Sequence, residues 1–415
     1  MIDVLIVGAG IGGLVAALCL HRAGFSVRVH ERSQALEPIG FGVNLQPYCV
    51  KLLHELGLES EMDKIGIRTG KAAFYSRHGQ FIYEESRGMD AGYNWPMYSM
   101  HRGHFQQLLL RHVRDEVGEM SVRLGQKLVA VQSQPNHVEV DFVNPTTGEL
   151  NTEIAKVLVA ADGINSTVRK ILYPNEGPPL WRGLTVWRGV TPIQKAFLDG
   201  RTMICIGNPD KCEMFIFPIS SNLVNWACIV RTGDPEIRVS QVTPDWNNLG
   251  RIEDLRPLLL NMKLDFLDID QLISSSIIVN EFPITDRDIL PRWTHNRVTL
   301  LGDAAHPMYP NGGNGASQAI VDARGLTLSF REHGVTPKGL QAYDDLRRSA
   351  SHAFVLAGRE YGPDKVLKLV DERAPNSFQH FSEVISPTEV EAMFSNYKRL
   401  AGWDAQQLNQ EPPLF

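Results

Sequence analysis

DVLIVGAGIGGLVAALCLHRAGFSVRVHE, residues 3–31, is the stretch from which the fold follows. Asp3–Val7 is a short apolar run, the pattern of a strand buried on both faces. GAGIGG then satisfies G-x-G-x-x-G at Gly8, Gly10 and Gly13, with Gly12 inside the run. Leu14–His21 is mostly small or apolar, as a packed helix requires; Gly24 ends it, and Ser26–His30 reads as a second strand. Strand, helix and strand within about 30 residues form a βαβ unit. A glycine pattern alone is weak, but between a buried strand and a helix each glycine has a reason. The first permits the tight turn, the second lets a pyrophosphate approach the backbone, and the third lets helix and strand pack closely. The unpaired N–H groups at the helix start attract the phosphates. Glu31 closes the second strand, where a carboxylate accepts hydrogen bonds from a ribose, and Arg32 beside it joins the candidate set.

Outward from this unit, KAAFYS and GQFIYE flank His78-Gly79 and predict a β-hairpin within 66–89. Helical apolar spacing runs over Arg102–Val117, and Lys127–Gln132, His137–Phe142 and Glu153–Ala161 read as strands. From about Leu184 to Pro283 the pattern is mostly β, in LTVWRGV, TMICIG, EMFIFPI, LVNWACIV and SIIVNEF, interrupted by one helical insertion near Arg251–Leu260. Arg297–Leu301 returns to a buried strand, followed by a glycine-rich loop and a helix from about Ser317; the last 50 residues are helical and charged. The expected fold is mixed α/β: a Rossmann-like nucleotide-binding domain (1–70, 98–180, 285–360) interleaved with a β-sheet domain (71–97, 181–284) and followed by a C-terminal helical segment (361–415). Pockets form readily at such junctions.

Two further motifs follow strands. In ADGINSTVR, Ala161–Arg169, a strand ends in Asp162-Gly163 and a polar Asn-Ser-Thr starts a helix; a turn with an N-cap is its plain reading. In GDAAHPMYPNGGNGASQAIVDA, Gly302–Ala323, a strand delivers Asp303 at its end, where it can accept from a sugar or ribityl hydroxyl. The segment Asn311–Gly315 opens the next helix, whose N–H groups and dipole stabilise negative charge on a bound ring.

Together these three stretches resemble the signatures of FAD-dependent class A aromatic hydroxylases over about residues 1–360. SMHRGHFQQLLL, TVWRGV, NGGNGASQAI and DRDILPRW are most similar to phenazine-modifying monooxygenases, with salicylate-hydroxylase-like enzymes next. Ser317 stands where that family usually has asparagine. The resemblance implies that Gly8, Gly10, Gly12 and Gly13 face the pyrophosphate, Glu31 the adenosine ribose, Arg102 the phosphate or ribityl region and Asp303 the ribityl or pyrophosphate. It sets Pro307 beside the flavin ring, brings Gly313, Asn314 and Gly315 to its pyrimidine edge, and links Asp162 to FAD or nicotinamide binding. It further implies reduction by NADH or NADPH, addition of dioxygen to give a flavin C4a-hydroperoxide, and oxygen transfer to an aromatic or heteroaromatic small molecule. No catalytic side chain is assigned, because the cofactor carries the chemistry; His306 reads as structural. An epoxidase or decarboxylative hydroxylase with the same cofactor, and a non-oxygenating flavin reductase or redox sensor, are the alternatives.

Substrate contacts are sought in the β-rich middle. Thr185, Trp187 and Gly189 share one strand face, and Val186, Arg188 and Val190 the other. Arg188 either draws an anionic substrate or makes an ion pair. Trp187, Phe217 and Trp226 are candidates to line an aromatic pocket, although strand aromatics are more often core. His101 and His104 read as capping or surface residues rather than metal ligands, and no metal is expected. The net charge of −6 over 415 residues opposes a broad grip on nucleic acid. Five irregularly spaced cysteines suggest reduced thiols and a cytoplasmic location, and a monomer or homodimer is expected. The strand pattern directly after Met1 predicts no leader peptide, and the longest apolar runs are too short to span a membrane.

Overall fold

The computed structural model describes residues 1–234, 248–259, 262–400 and 404–415. Strand β1 (Ile2–Val7), helix α1 (Ile11–Arg22) and strand β2 (Val27–His30) form the βαβ unit, with β1 and β2 parallel. Nine of the residues of α1, Ile11 and Gly13–Leu20, are buried, leaving no polar face. A helix apolar all round must be covered on all sides. It packs against helices Arg102–Val117 and Gly315–His333 as well as the sheet.

Leu150–Ala160 inserts beside β1 in parallel, and Val298–Leu300 pairs in parallel beyond it. The strands that carry all three motifs are thus neighbours in one eight-stranded sheet, and each motif leaves it at a strand's C-terminal end. Lys127–Ser133 and Val138–Val143 extend this sheet in antiparallel fashion. In open parallel sheets, ligands bind outside those C-terminal ends.

The β-rich middle forms a seven-stranded sheet in the order 278–286, 180–192, 223–231, 212–220, 202–208, 71–75, 81–86, with only 202–208 and 71–75 parallel. A short helix at Ile252–Leu255 with a 3-10 turn at Arg256–Leu259 occupies the expected insertion; Leu260 lies outside the described residues. A second helix, Ile269–Ser274, was not anticipated, because six residues capped by Asp268 show no helical period. Both cover one face of the sheet.

A three-stranded sheet of Gly42–Leu45, Met97–His101 and Gly66–Thr69 was also not foreseen. Its strands are four or five residues long and pair across 28 to 59 positions, beyond the reach of local periodicity. The C-terminal helices fold back onto the seven-stranded sheet, where Val366, Leu367, Val370, Val390 and Phe394 pack with Ala72, Phe74, Met203 and Cys205. Among the described residues no helix is long and apolar enough to cross a membrane.

Candidate active site

The glycine turn is built by exclusion. A Cβ on Gly8 would stand 2.3 Å from the carbonyl oxygen of Ala161, and one on Gly13 would stand 2.0 Å from that of Gly8. Strand, turn and helix therefore close only with hydrogen at both positions. A Cβ on Gly12 would press on Leu301 and Ala319, so Gly12 serves helix packing. Above Gly10 there is open space, with no heavy atom within 4 Å of its Cβ position. Gly10 is also the N-cap of α1, and no side chain caps the helix. The exposed N–H groups and the clear approach fit a pyrophosphate.

Glu31 stands beside this opening. Its two carboxylate oxygens accept from the backbone N–H of Ala9 and of Ser33, both at 2.9 Å. Gln106, which sequence reasoning missed, donates its side-chain amide to the carbonyl of Ala9 at 2.7 Å and steadies the turn from helix Arg102–Val117. His101 caps this helix by accepting from the N–H of His104, as expected of a capping residue. Arg102 begins the helix and is exposed, as is Arg32.

The second motif proves to be a brace. One oxygen of Asp162 accepts from the N–H of Thr167 at 2.7 Å while the other has no partner, and burial raises this carboxyl above the usual range. Ser166 caps the short helix by accepting from the N–H of Arg169. Arg169 is 1% exposed and donates to the carbonyls of Ala304 and Ala305, each at 3.0 Å, and to that of Asp288. The motif's terminal arginine thus fastens the turn that carries Asp303, a role the sequence pattern alone did not suggest.

In the third motif, Gly302 donates its N–H to Asp322, which also accepts from His306 at 2.5 Å and from Arg347 at 2.9 Å. Burial would raise the Asp322 carboxyl, but His306 and Arg347 outweigh it and hold it at about 2. His306 is committed to this buried network and is structural. Asp303 faces the opposite way: it is solvent-accessible, yet enclosed enough for desolvation to raise its carboxyl, against the charges of His306 and Arg102. Its Oδ1 lies 3.9 Å from where a Gly315 side chain would begin, so the carboxylate overlooks the start of helix Gly315–His333. Pro307 is buried on the intervening chain. Gly313 turns against Asn44, and Asn314 is the helix N-cap, its side chain accepting from the Tyr48 hydroxyl rather than capping. Ser317 accepts from the N–H of Gln46, tying this helix to the chain after the three-stranded sheet's first strand.

The seven-stranded sheet presents two different faces. Strand register pairs Trp187 with Cys228 and Ile216 with Trp226, which sets both tryptophans on the face covered by the short helices. Trp226 is fully buried and donates to Ser276 at 2.8 Å; Trp187 is 3% exposed. Gly189 makes room for the Trp226 ring, 2.4 Å from the position of a Cβ. As substrate contacts, Trp187 and Trp226 are therefore corrected: they are core. Arg188 pairs with Ala227 and Phe217 with Asn225, on the face toward the nucleotide-binding sheet. Phe217 packs against Gly42, whose N–H donates to Asn225 at 2.7 Å.

Arg188 is the telling residue. Its guanidinium lies over the Phe282 ring, 5.6 Å from the centroid, and its Nε has no hydrogen-bond partner among the described residues. Desolvation, then the charge of Arg102, lower it to about 10. Arg102 therefore acts on both Asp303 and Arg188, which places the start of helix Arg102–Val117 between the third motif and the β-rich face.

A phosphate-accepting βαβ turn with a second strand-end aspartate beside it defines a dinucleotide-binding protein of the Rossmann type. The family described as FAD binding domain matches residues 1–356. The chain is 37% identical over 369 residues to phenazine 1,6-dicarboxylic acid hydroxylase PhzS of Lysobacter antibioticus, covering 86% of this chain and 89% of that protein. It is 28% identical to 6-hydroxynicotinate 3-monooxygenase of Bordetella bronchiseptica, with 82% and 86% covered. Among solved structures, Klebsiella pneumoniae HpxO, complexed with FAD and uric acid, superposes with a TM-score of 0.74 over 99% of this chain and 97% of that one, at 21% identity, a likeness of fold. The chain belongs to the FAD binding domain family, and it is an FAD-dependent monooxygenase that uses NAD(P)H.

Proposed function

We propose that this enzyme hydroxylates an anionic aromatic or heteroaromatic small molecule, and the unpartnered Nε of Arg188 on the cleft face is the observation that carries the reading. A desolvated guanidinium left without a carboxylate is costly, and a substrate carboxylate or phenolate would complete it. Phe217 and Phe215 on the same face offer apolar area for a ring. This accords with the relatives, named for a phenazine dicarboxylic acid and a hydroxynicotinate.

FAD would lie with its pyrophosphate over Gly10 and the start of α1, its adenosine ribose at Glu31 and its ribityl chain between Arg102 and Asp303. Pro307 and Gly313–Gly315 would border the ring, with the N–H groups at the start of helix Gly315–His333 facing its pyrimidine edge. Bound there, FAD supplies the redox chemistry: one aromatic C–H, dioxygen, NAD(P)H and a proton yield the phenol, NAD(P)+ and water. The chain's own part is to orient the ring, hold its charge at Arg188 and keep water out. The domain reading supports this, with 1–70, 98–180 and 285–360 holding cofactor and 71–97 and 181–284 holding substrate. The five free cysteines fit a cytoplasmic location.

The test is NAD(P)H oxidation by the purified enzyme with aromatic carboxylates and their neutral amides, followed by product mass. Faster oxidation with the carboxylates and a product one oxygen heavier support the reading. Oxidation that no aromatic stimulates, with no oxygenated product, identifies a flavin reductase instead.

A further inference from the structure

Two buried carboxyl groups meet at the base of the glycine loop. Glu213, on the cleft face of strand Cys212–Ser220, is 1% exposed, and Asp364, at the start of helix Lys365–Arg373, is 2% exposed. Asn311, the first residue of the loop and 4% exposed, donates its side-chain nitrogen to both, to Glu213 Oε1 and Asp364 Oδ2 at 3.1 Å each. Asp364 also accepts from the backbone N–H of Gly312. The second oxygen of Glu213 is buried without a partner.

The surroundings do not neutralise two anions. Glu85 and Arg87 are near Asp364, but they pair with each other at 2.7 Å. Asp210 and Cys212 lie beside Glu213, and the Cys205 thiol is buried in the field of Asp364, Arg87, Glu213 and Glu85. Arg87 faces Glu85, Glu213 and Asp364 and is engaged by Glu85, while Lys368 and Arg231 are engaged by Asp210. Burial and then the field of Asp364 push the Glu213 carboxyl well up, and burial pushes Asp364 up to about 6. Asn311 gives each carboxyl one N–H and Gly312 gives Asp364 one more, too few donors to offset two desolvated charges side by side, which favours retention of one proton by the pair.

We propose that Glu213 and Asp364, bridged by Asn311, hold one proton between them as a pair, and that this proton keeps loop 311–315 in its cofactor-facing shape. The inference rests on the reading that this loop borders FAD. Glu213 and Asp364 are then positioning residues: they touch neither cofactor nor substrate, but join the β-rich sheet and the C-terminal helices to the loop. The sign follows from the raised folded values. A carboxyl that holds its proton more tightly when folded contributes stability that is complete below the ordinary carboxylate range and lost as pH rises through the folded value. For Asp364 the loss is complete as pH passes about 6, and for Glu213, whose carboxyl is held well above its ordinary range, it continues to higher pH.

The experiment measures FAD dissociation from the holoenzyme between about pH 6 and about pH 9, by recovery of free-flavin fluorescence, with Glu213→Gln and Asp364→Asn beside the wild type. In the wild type the dissociation constant rises with pH by up to about tenfold per unit, the slope of one proton. In each variant one ionised carboxylate remains for one amide, and the profile is flat. A group that merely filled space would weaken binding equally at every pH and leave the slope in place. A flat wild-type profile, or an unchanged slope in the variants, overturns the shared proton while leaving FAD binding intact; if Glu213→Gln fails to fold, Asp364→Asn decides. A wild type that takes up no FAD at any pH overturns the loop's assignment, and the inference falls with it.

Discussion

The glycine cradle and the β-rich face that carries Arg188 are specified differently. The cradle is local: Gly8, Gly10, Gly13 and Glu31 lie within 24 residues, and backbone exclusion fixes Gly8 and Gly13. The cleft face is assembled by strand register, which brings Arg188, Phe217 and Ala227 to one side and sends Trp187 and Trp226 to the other. Steric necessity leaves a sequence signature, whereas register does not, since a shift of one residue exchanges the faces.

Substitutions test this contrast. The largest effect is expected for Gly13→Ala: a methyl 2.0 Å from a backbone oxygen cannot be absorbed by a side-chain shift, so the protein loses FAD and much of its soluble yield. Gly10→Ala, with open space around its Cβ, should melt as the wild-type apoprotein does yet bind FAD more weakly, as thermal unfolding with and without flavin will show. Next is Arg169→Gln, which leaves Glu176 to Arg287 alone and releases the carbonyls of Ala304 and Ala305; it should cost about 3 kcal/mol in denaturant unfolding. Arg188→Gln should raise KM for an anionic aromatic about ten- to a hundredfold, the worth of a charge-assisted hydrogen bond, and change KM for the neutral analogue little. Smallest is Trp226→Phe, which removes the bond to Ser276 and should lower stability by about 1 kcal/mol without altering KM. A KM change there comparable to that of Arg188→Gln would return Trp226 to the pocket.

The legible part of the molecule follows the same division. The βαβ unit, helix Arg102–Val117 and the long strands of the middle are visible because each carries a period or a punctuation that physics demands. The split of Trp187 from Arg188 was visible as alternation, but which side faced the cleft was not, because that depends on the helices Ile252–Leu255 and Ile269–Ser274 covering one face. Gln106, Arg169 and Asn311 were missed for a related reason: their bonds reach Ala9, Ala304 and Glu213, across roughly 100 residues or more, and no spacing announces them. Asp162 shows the converse, a motif residue whose visible work is to cap a helix.

The convergence of the cradle with Asp303 through the field of Arg102 is tested most directly by the FAD content of the purified wild type and of Asp303→Ala. The wild type should be yellow with stoichiometric FAD released on denaturation, and the variant should fold but hold FAD about ten- to a hundredfold more weakly, the loss of a hydrogen bond to a charged group. A variant that retains FAD as tightly as the wild type would contradict the account.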